Sequence, residues 1–305
     1  YGTVMENREG NGPCYLRTEG ISKEQEQDLY KAYLNMAPSQ TLKWMEAGKG
    51  PSEENVEIEG TEPYIVGGHT ASGYWVDNNR ATTIEGLYAA GDVAGGCPQK
   101  YVTGALAEGE IAAEAILEYL NGKDDDRIAA ENKEGALESG GEQELSQTTI
   151  AKKAEYESHL NASRSLMNAE QLEEAMQKIM DQYAGGIGTD YRYSGMSLAK
   201  ADEKIAALLP VVDTLAATDT YELMQIYELR ERLIVCQAVI AHLAARKETR
   251  WHSFGENTDY PQQSEEWMKY VNSRMENGEI KILYRDLITK ENTGLNTAEK
   301  GAGER

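Results

Sequence analysis

The stretch Gly86-Leu-Tyr-Ala-Ala-Gly91-Asp92-Val-Ala-Gly-Gly96 carries the strongest structural signal in this chain. A short apolar run, predicted to be a strand over residues 86–90, leads into a turn with a single carboxylate, and small residues follow. Because glycine has no Cβ, the backbone at Gly91 can approach a ligand closely. The Asp92 carboxylate can accept hydrogen bonds from sugar or ribityl hydroxyls. The pattern therefore indicates a turn built against a dinucleotide.

The segments on either side of this turn support the same interpretation. Upstream, in Val66-Gly-Gly-His69-Thr-Ala-Ser-Gly73, the imidazole lies among glycines and hydroxyl residues, where it could orient or protonate an oxyanion. Downstream, Thr103-Gly104-Ala105 opens a predicted helix over residues 103–120, whose free amides and positive dipole suit an electron-rich ring edge. Glycines inside that helix predict a closely packed neighbour. Together the three pieces indicate one wall of a flavin site.

Each of these residues also has an ordinary structural interpretation. Gly and Asp dominate turns for local reasons, and His69 could be a buried core histidine. Tyr101 could stack on an aromatic ligand or only close the turn before the helix. The remaining histidines are better explained as helix residues or as members of an ion-paired cluster: His159, His242 and His252.

Composition limits the classes of function. The chain has 305 residues, 40% of them hydrophobic, with a formal net charge of -22. Such charge disfavours nucleic acid and anionic membrane surfaces as partners. No apolar run reaches the roughly eighteen residues of a membrane span, and no leader follows Tyr1, so we expect a soluble chain that is a fragment. Three scattered cysteines and four scattered histidines predict a reducing cytoplasm and no bound metal.

The predicted fold is α/β followed by α. It comprises the C-terminal part of an FAD-binding domain, an antiparallel helical bundle and a small C-terminal region. The predicted domains are a remnant of a capping or substrate domain, the FAD-binding part, a linker, the helical domain and a C-terminal region with a disordered tail: 1–62, 63–124, 125–150, 151–250 and 251–305.

Local signals predict most of the individual elements. They predict short strands in 63–77, a helix over 23–47 broken at Pro38, and a helix end at Asn121-Gly122. In the helical domain they predict a start at Asn168, a second helix stopping at Pro210 with a further turn through Leu215, and a third helix from the Asp219 cap to Arg246. Near the end they predict a short helix at 267–271 and a strand at 279–284.

Two long blocks, residues 66–77 and 80–110, resemble the adenylylsulfate reductase alpha subunits, within the fumarate reductase and succinate dehydrogenase flavoprotein superfamily. Cys97-Pro-Gln-Lys is typical of the sulfur-metabolising branch of that superfamily. The segments Ala245-Arg-Lys-Glu-Thr-Arg-Trp-His252 and Asp259-Tyr-Pro261 resemble the end of its helical domain. The likeness extends from Gly12 to Ile288.

This resemblance implies a non-covalent FAD and the reversible reduction of adenosine 5'-phosphosulfate to sulfite and AMP through a flavin N5-sulfur adduct. It also implies a partner beta subunit that carries the iron-sulfur clusters. His69 falls on the family's catalytic, substrate-facing histidine, and Tyr101 on an aromatic position near the nucleotide. The implied FAD contacts are Gly68, Gly91, Asp92, Thr103, Gly104 and Ala105.

The chain departs from the family in one important respect, since it contains no Gly-x-Gly-x-x-Gly fingerprint and lacks the family's substrate arginines. We therefore expect a C-terminal portion that alone holds FAD poorly and is inactive. A related flavoenzyme of the fumarate reductase or aspartate oxidase type is the alternative. Against it, Gln99-Lys100-Tyr101-Val102 replaces the arginine segment of those enzymes. A non-catalytic helical adaptor is a third hypothesis.

Overall fold

The computed structural model describes residues 2–58, 72–96, 101–131, 140–162, 167–250 and 255–287; the side chains of residues 101, 123–131 and 140–146 lie outside that description. The chain divides into two compact units, residues 1–62 and 63–305. The predicted strand residues Tyr64 and Val66 and the predicted disordered tail after Ile288 lie outside the described residues.

The first unit is a small helical unit with a two-stranded sheet. Its helices are α1 (Gly2–Arg8), α2 (Lys23–Met36) and α3 (Pro38–Ala47). Strands β1 (Cys14–Leu16) and β2 (Val56–Ile58) pair antiparallel. The predicted break at Pro38 is confirmed, because a proline lacks the N–H that an interior helical position needs but suits the first position of a new helix.

An aromatic cluster joins the two longer helices of this unit. Trp44 of α3 is buried and meets the rings of Tyr30 and Tyr33 of α2 edge-on, at centroid distances of 5.2 and 5.0 Å. Edge-to-face geometry is favoured because the positive ring edge meets the negative ring face. The cluster therefore fixes the crossing of α2 and α3.

Residues 72–96, here called the turn region, open the described part of the second unit. The strand predicted over residues 86–90 is wrong as an extended ladder: the region contains isolated bridges, Val76 with Thr82 and Ala81 with Tyr88. A turn starts in its place because Gly86 adopts φ +79°. A 3-10 turn over Gly91–Val93 follows.

Helix α4 spans Tyr101–Glu131 and α5 spans Gly140–Leu160. The predicted helix end at Asn121-Gly122 is therefore wrong. A glycine stops a helix when it adopts the left-handed conformation, and Gly122 is not among the glycines with positive φ. Most of the segment predicted as a linker is consequently helical, while residues 132–139 lie outside the described residues.

Three helices, α6 (Ala169–Tyr183), α7 (Gly195–Val212) and α8 (Thr220–Ala245), surround the main core. The predicted caps are confirmed: Asn168 and Gln171 form a capping box, and the Asp219 carboxylate accepts hydrogen bonds from the N–H groups of Tyr221 and Glu222. Fully or almost fully buried side chains from these helices, and one from the loop between α7 and α8, meet in one cluster: Leu172, Leu198, Ile205, Val212, Leu215, Ile226 and Leu233. The helix-rich character predicted for this part is confirmed.

Pro210 does not end the second helix, which continues to Val212. A proline in the last turn removes a single intrahelical hydrogen bond, while the fixed φ of its ring is compatible with a helix. The burial of Val212 in the core favours the extra turn. The prediction of a stop at Pro210 was therefore wrong by two residues.

The chain closes with a β-hairpin, β5 (Lys269–Glu276) paired antiparallel with β6 (Glu279–Asp286). The helix predicted at 267–271 is wrong: a short 3-10 turn over Glu265–Trp267 precedes β5. The two-residue turn Asn277-Gly278, with φ of +51° and +81°, is the pairing that hairpins of this type favour. Strands β3 (Arg192–Tyr193) and β4 (Glu256–Asn257) form a short parallel pair.

Candidate functional site

The described structure contains five of the predicted site residues with their side chains: Gly91, Asp92, Thr103, Gly104 and Ala105. Gly68 and His69 lie outside the described residues. Tyr101 begins α4, but its side chain lies outside the description. The arrangement of the candidate site is therefore built from the turn region and the first turns of α4.

Gly91 packs directly against α4. It is buried, with φ +72°, and a Cβ added there would lie 3.2 Å from the Cβ of Ala105. A residue with a side chain would thus be both strained and crowded. The predicted turn and the predicted helix start are therefore brought together through two of the residues that the sequence singled out.

A buried carboxylate holds this turn in place. Glu108, which is 4% exposed, accepts a hydrogen bond of 2.9 Å from the Gly91 N–H. Its other oxygen lies 3.4 Å from Nε of Arg80, whose Nη1 donates to the Asp77 carbonyl. Because a charge-assisted hydrogen bond to a buried amide is strong, Glu108 fixes the orientation of the Gly91 peptide.

The segment that follows His69 in sequence runs beside the same turn. The Tyr74 N–H donates to the Val93 carbonyl and the Gly95 N–H donates to the Tyr74 carbonyl, both at 2.8 Å. A Cβ on Gly73 would lie 2.5 Å from the Val93 carbonyl oxygen.

The exposed side of this arrangement suits a ligand edge. Asp92 and Thr103 are exposed, and Gly104 and Ala105 are half-buried. The first turn of α4 carries no acidic side chain of its own, so its N-terminal dipole is not offset from within the helix. Asp92 follows Gly91, which packs on Ala105, so a carboxylate that could bind hydroxyl groups and a helix start that could face an electron-rich ring belong to two elements in contact.

The turn region also contacts the C-terminal hairpin. The Arg285 guanidinium lies between two rings, 4.4 Å from the Trp75 centroid and 4.6 Å from the Tyr270 centroid. Burial lowers the pKa of Arg285, and the rings compensate by cation–π attraction. This clamp fastens β6 to the segment between His69 and the Asp92 turn.

The sequence analysis missed Glu108, Arg80 and Arg285 as residues that shape the site. Glu108 had one usable signal, since it lies four residues after Gly104 and therefore on the same face of α4. Arg80 and Arg285 had none, because their contacts join segments that are distant in sequence.

The described residues contain no group of three or more His, Cys, Asp or Glu side chains placed to hold a metal ion. Among the same residues, no helix combines the length and the apolar character that crossing a bilayer requires.

The chain is similar to known flavoproteins. Residues 173–299 match the family model for the C-terminal region of fumarate reductase flavoproteins. Over 312 aligned positions, the chain is 28% identical to the adenylylsulfate reductase subunit alpha of Megalodesulfovibrio gigas, covering 89% of this chain and 46% of that protein. The chain thus spans about half the length of the curated relatives it matches.

Solved structures give the same likeness. An adenosine-5-phosphosulfate reductase in covalent complex with sulfite superposes with a TM-score of 0.76 at 30% identity, over 94% of this chain and 49% of that one. The adenylylsulfate reductase of Archaeoglobus fulgidus matches with the same TM-score and the same coverages at 29% identity. The resemblance drawn from the sequence is confirmed.

Proposed function

We propose that this chain, which is similar in sequence and fold to the adenylylsulfate reductase alpha subunits, forms part of a catalytic flavoprotein that reduces adenosine 5'-phosphosulfate to sulfite and AMP reversibly. The family match and the relatives support a flavoprotein oxidoreductase. The sulfur-metabolising relatives and the site geometry support this particular reaction.

One observation carries the proposal: the Gly91-Asp92 turn packs on the start of α4, with Glu108 fixing the Gly91 amide. Asp92 in the turn and Thr103 near the start of α4 are both exposed, so a carboxylate and a helix N-terminus occur in two elements that pack together. It occurs in a chain whose fold superposes on that of adenylylsulfate reductases. Either feature alone would be ordinary, and their coincidence favours a flavin-binding wall.

The residues have distinct proposed roles. Asp92 would accept hydrogen bonds from ribityl hydroxyls, and the first turns of α4, with Thr103, Gly104 and Ala105, would lie beside the pyrimidine edge, where the positive end of the helix dipole favours an electron-rich group. Non-covalently bound FAD would supply the capacity to carry two electrons. His69, with Gly68 beside it, would hold the sulfate or sulfite oxyanion by donating a hydrogen bond, and Tyr101 would lie near the nucleotide.

Electrons would arrive from a beta subunit that carries iron-sulfur clusters. This proposal follows from the likeness to an alpha subunit. We place the assembly in the cytoplasm. The acidic surface implied by the net charge of -22 favours a partner with a basic docking face.

The test is to express the open reading frame that encodes this chain together with the iron-sulfur subunit. We expect a yellow protein that reduces an electron acceptor only when AMP and sulfite are both present. Absence of flavin absorbance and of this activity would overturn the proposal. Oxidation of the reduced flavin by fumarate would favour a fumarate reductase instead, and partner binding without flavin would favour an adaptor.

A pair of variants localises the cofactor. Asp92→Asn should weaken FAD binding about tenfold, which corresponds to 1.4 kcal/mol. Glu110→Gln removes the same charge from an exposed position on α4 and should leave FAD affinity unchanged. Equal effects of the two variants would mean that Asp92 acts only through the general electrostatic field.

A further inference from the structure

A cavity lies between the C-terminal end of α8 and strand β5. Its volume is about 440 Å³, and neither Gly91, Asp92 nor the start of α4 lines it. Small-molecule sites typically have volumes of about 300–1,000 Å³. We call it the hairpin cleft and define it by six of its lining residues: His242, Arg246, Arg250, Trp267, Lys269 and Tyr270.

The charge on this cleft is opposite to that of the chain. Among the described residues lining it, Arg246, Arg250 and Lys269 are cationic, and no aspartate or glutamate is present. The whole chain has 52 acidic residues against 30 lysines and arginines. In so acidic a protein, a cavity that gathers cations and excludes carboxylates creates a local positive potential able to attract an anion.

The arginines are held in position from behind by Glu248, whose side chain is fully buried. Its carboxylate accepts hydrogen bonds from Arg246 Nη1 at 2.7 Å, from Nε and Nη2 of Arg250 at 2.9 and 2.8 Å, and from the Ser264 N–H at 3.0 Å. With four donors, Glu248 is saturated. A single carboxylate therefore balances one of the three cations and leaves the cleft positive.

Lys269 supplies the third cation of the cleft. Its Nζ lies over the rings of Trp267 and Tyr284, at 5.1 and 5.5 Å from their centroids, and it forms no ion pair with any described residue. Arg246 is anchored further by donating to the carbonyls of Trp267 and Lys269, both at 2.9 Å. A preorganised cationic site avoids much of the ordering cost of binding.

The neighbouring histidine is consistent with this field. His242 Nε2 lies 2.9 Å from the Ser273 hydroxyl. Burial lowers the pKa of His242, and the nearby Arg246 lowers it further. A neutral imidazole can still share a hydrogen bond with a ligand.

Aromatic rings form part of the wall. The Arg246 guanidinium lies 5.7 Å from the Trp267 centroid, and Tyr270 borders the cleft from β5. Planar side chains next to cations suit a planar ring that carries negative charge. We propose that the hairpin cleft binds a small phosphate or sulfate ester of a planar ring. This inference does not depend on the proposed flavin chemistry.

The test uses titration calorimetry at low ionic strength with phenyl phosphate, inorganic phosphate, inorganic sulfate and the uncharged benzyl alcohol. We expect saturable binding of phenyl phosphate, weaker binding of the inorganic ions and none of benzyl alcohol. Low salt matters because screening at physiological ionic strength acts over about 8 Å. Failure of phenyl phosphate to saturate, or equal binding of benzyl alcohol, would overturn the proposal.

Charge-reversal variants place the site. Lys269→Glu should weaken phenyl phosphate binding at least about tenfold. Lys281→Glu makes the same change near the far end of the hairpin and should leave affinity within about twofold, since distant exposed charges are screened. Trp267→Leu should abolish the preference for phenyl phosphate over phosphate. Equal loss in the two lysine variants would show non-specific attraction and refute a defined site.

Discussion

The core of α6, α7 and α8 and the turn region of residues 72–96 are built on different principles. The helical core is filled by large side chains, among them Leu172, Ile205 and Leu233, each with no exposed surface. The buried cluster of the turn region consists of Val76, Ala89 and Ala94, and beside it Gly73 and Gly95 lie so close to neighbouring backbone atoms that neither has room for a Cβ. In the helical core large side chains fill the interior, whereas in the turn region glycines let backbone segments pack directly on one another.

The two kinds of packing differ in the groups that they can offer to a ligand. Interdigitated apolar side chains resist change but present nothing to a ligand. A region in which backbone packs on backbone can hold amide and carboxylate groups in fixed positions. It buries less apolar surface in return. Accordingly, Ile84 and Leu87 of the turn region and Val102 and Leu106 of α4 have exposed apolar side chains, with 46–73% of their surface accessible.

The largest expected effect is in the helical core. Leu233→Ala should lower the free energy of unfolding by about 3 kcal/mol, because it removes buried methyl groups and leaves a cavity. Val235→Ala, on the exposed side of the same helix, should change it by less than about 0.5 kcal/mol. Urea unfolding followed by circular dichroism measures both. Similar values would show that α8 is not the centre of a close-packed core.

The matching change in the turn region is an added methyl group. Gly73→Ala places a Cβ against backbone atoms of residues 93–95 and should cost about 2 kcal/mol locally, as overpacking does. Gly109→Ala meets nothing within 4 Å and should stabilise α4 by about 0.5–1 kcal/mol. Hydrogen exchange at residues 74 and 95 reports the local effect. If Gly73→Ala were tolerated as well as Gly109→Ala, the backbone-packing explanation would fail.

The Gly109 control also tests an expectation drawn from the sequence. Helix glycines were expected to mark a neighbour packed on the backbone, yet the described structure shows open space at Gly109. If Gly109→Ala leaves the chain stable but weakens FAD binding, the neighbour is the cofactor or another chain. If FAD affinity is unchanged, the glycine has no packing role.

A third pair of variants concerns the carboxylate that holds the Gly91 turn. Glu108→Ala removes the acceptor of the Gly91 N–H and the partner of Arg80, and should cost about 1.5 kcal/mol. Glu108→Gln keeps an acceptor oxygen and should cost about 0.5 kcal/mol. Glu108→Ala should also weaken FAD binding more than Glu108→Gln does. An equal loss for both variants would mean that the charge on Glu108, and not its hydrogen bond to Gly91, organises the turn.

The elements that were predicted well depend on local signals. The break at Pro38, the Asn168 capping box and the Asp219 cap were all confirmed, because each depends on hydrogen bonds within a few residues of the signal. The hairpin had an equally local signal in Asn277-Gly278, which the sequence analysis did not use.

The candidate site was harder to predict in full. The adjacency of the Gly91 turn and the start of α4 could be inferred, because residues 91 and 105 are close in sequence. The Arg285 clamp could not, since it joins Trp75 to a hairpin two hundred residues later. Such contacts depend on tertiary packing and leave no periodic or capping signal in the sequence.

The smallest expected effect concerns the border of the helical core. Glu155 of α5 accepts hydrogen bonds from Lys152 at 2.9 Å and from Tyr227 and Arg230 of α8 at 2.7 Å. The bond from Lys152, with those from Tyr227 and Arg230, lowers the pKa of Glu155 to about 2 against the partial effect of burial. A lowered carboxyl pKa means that folding favours the ionised form.

The sign of the pH dependence follows from this shift. The stabilising contribution of Glu155 is present above its unfolded pKa of about 4.5 and disappears as the pH falls toward 2. Because Glu155 and its partners are partly solvated, we expect their interactions to contribute about 1 kcal/mol to the free energy of unfolding. Glu155→Gln should therefore reduce the loss of stability between pH 5 and about 2.5, measured by urea unfolding at several pH values. Glu157→Gln, at an exposed position two residues further along α5, should leave the pH dependence of stability unchanged. If both variants behaved alike, the attachment of α5 to α8 would depend on apolar packing. The edge of the helical core would then be held by side-chain volume, as its centre is.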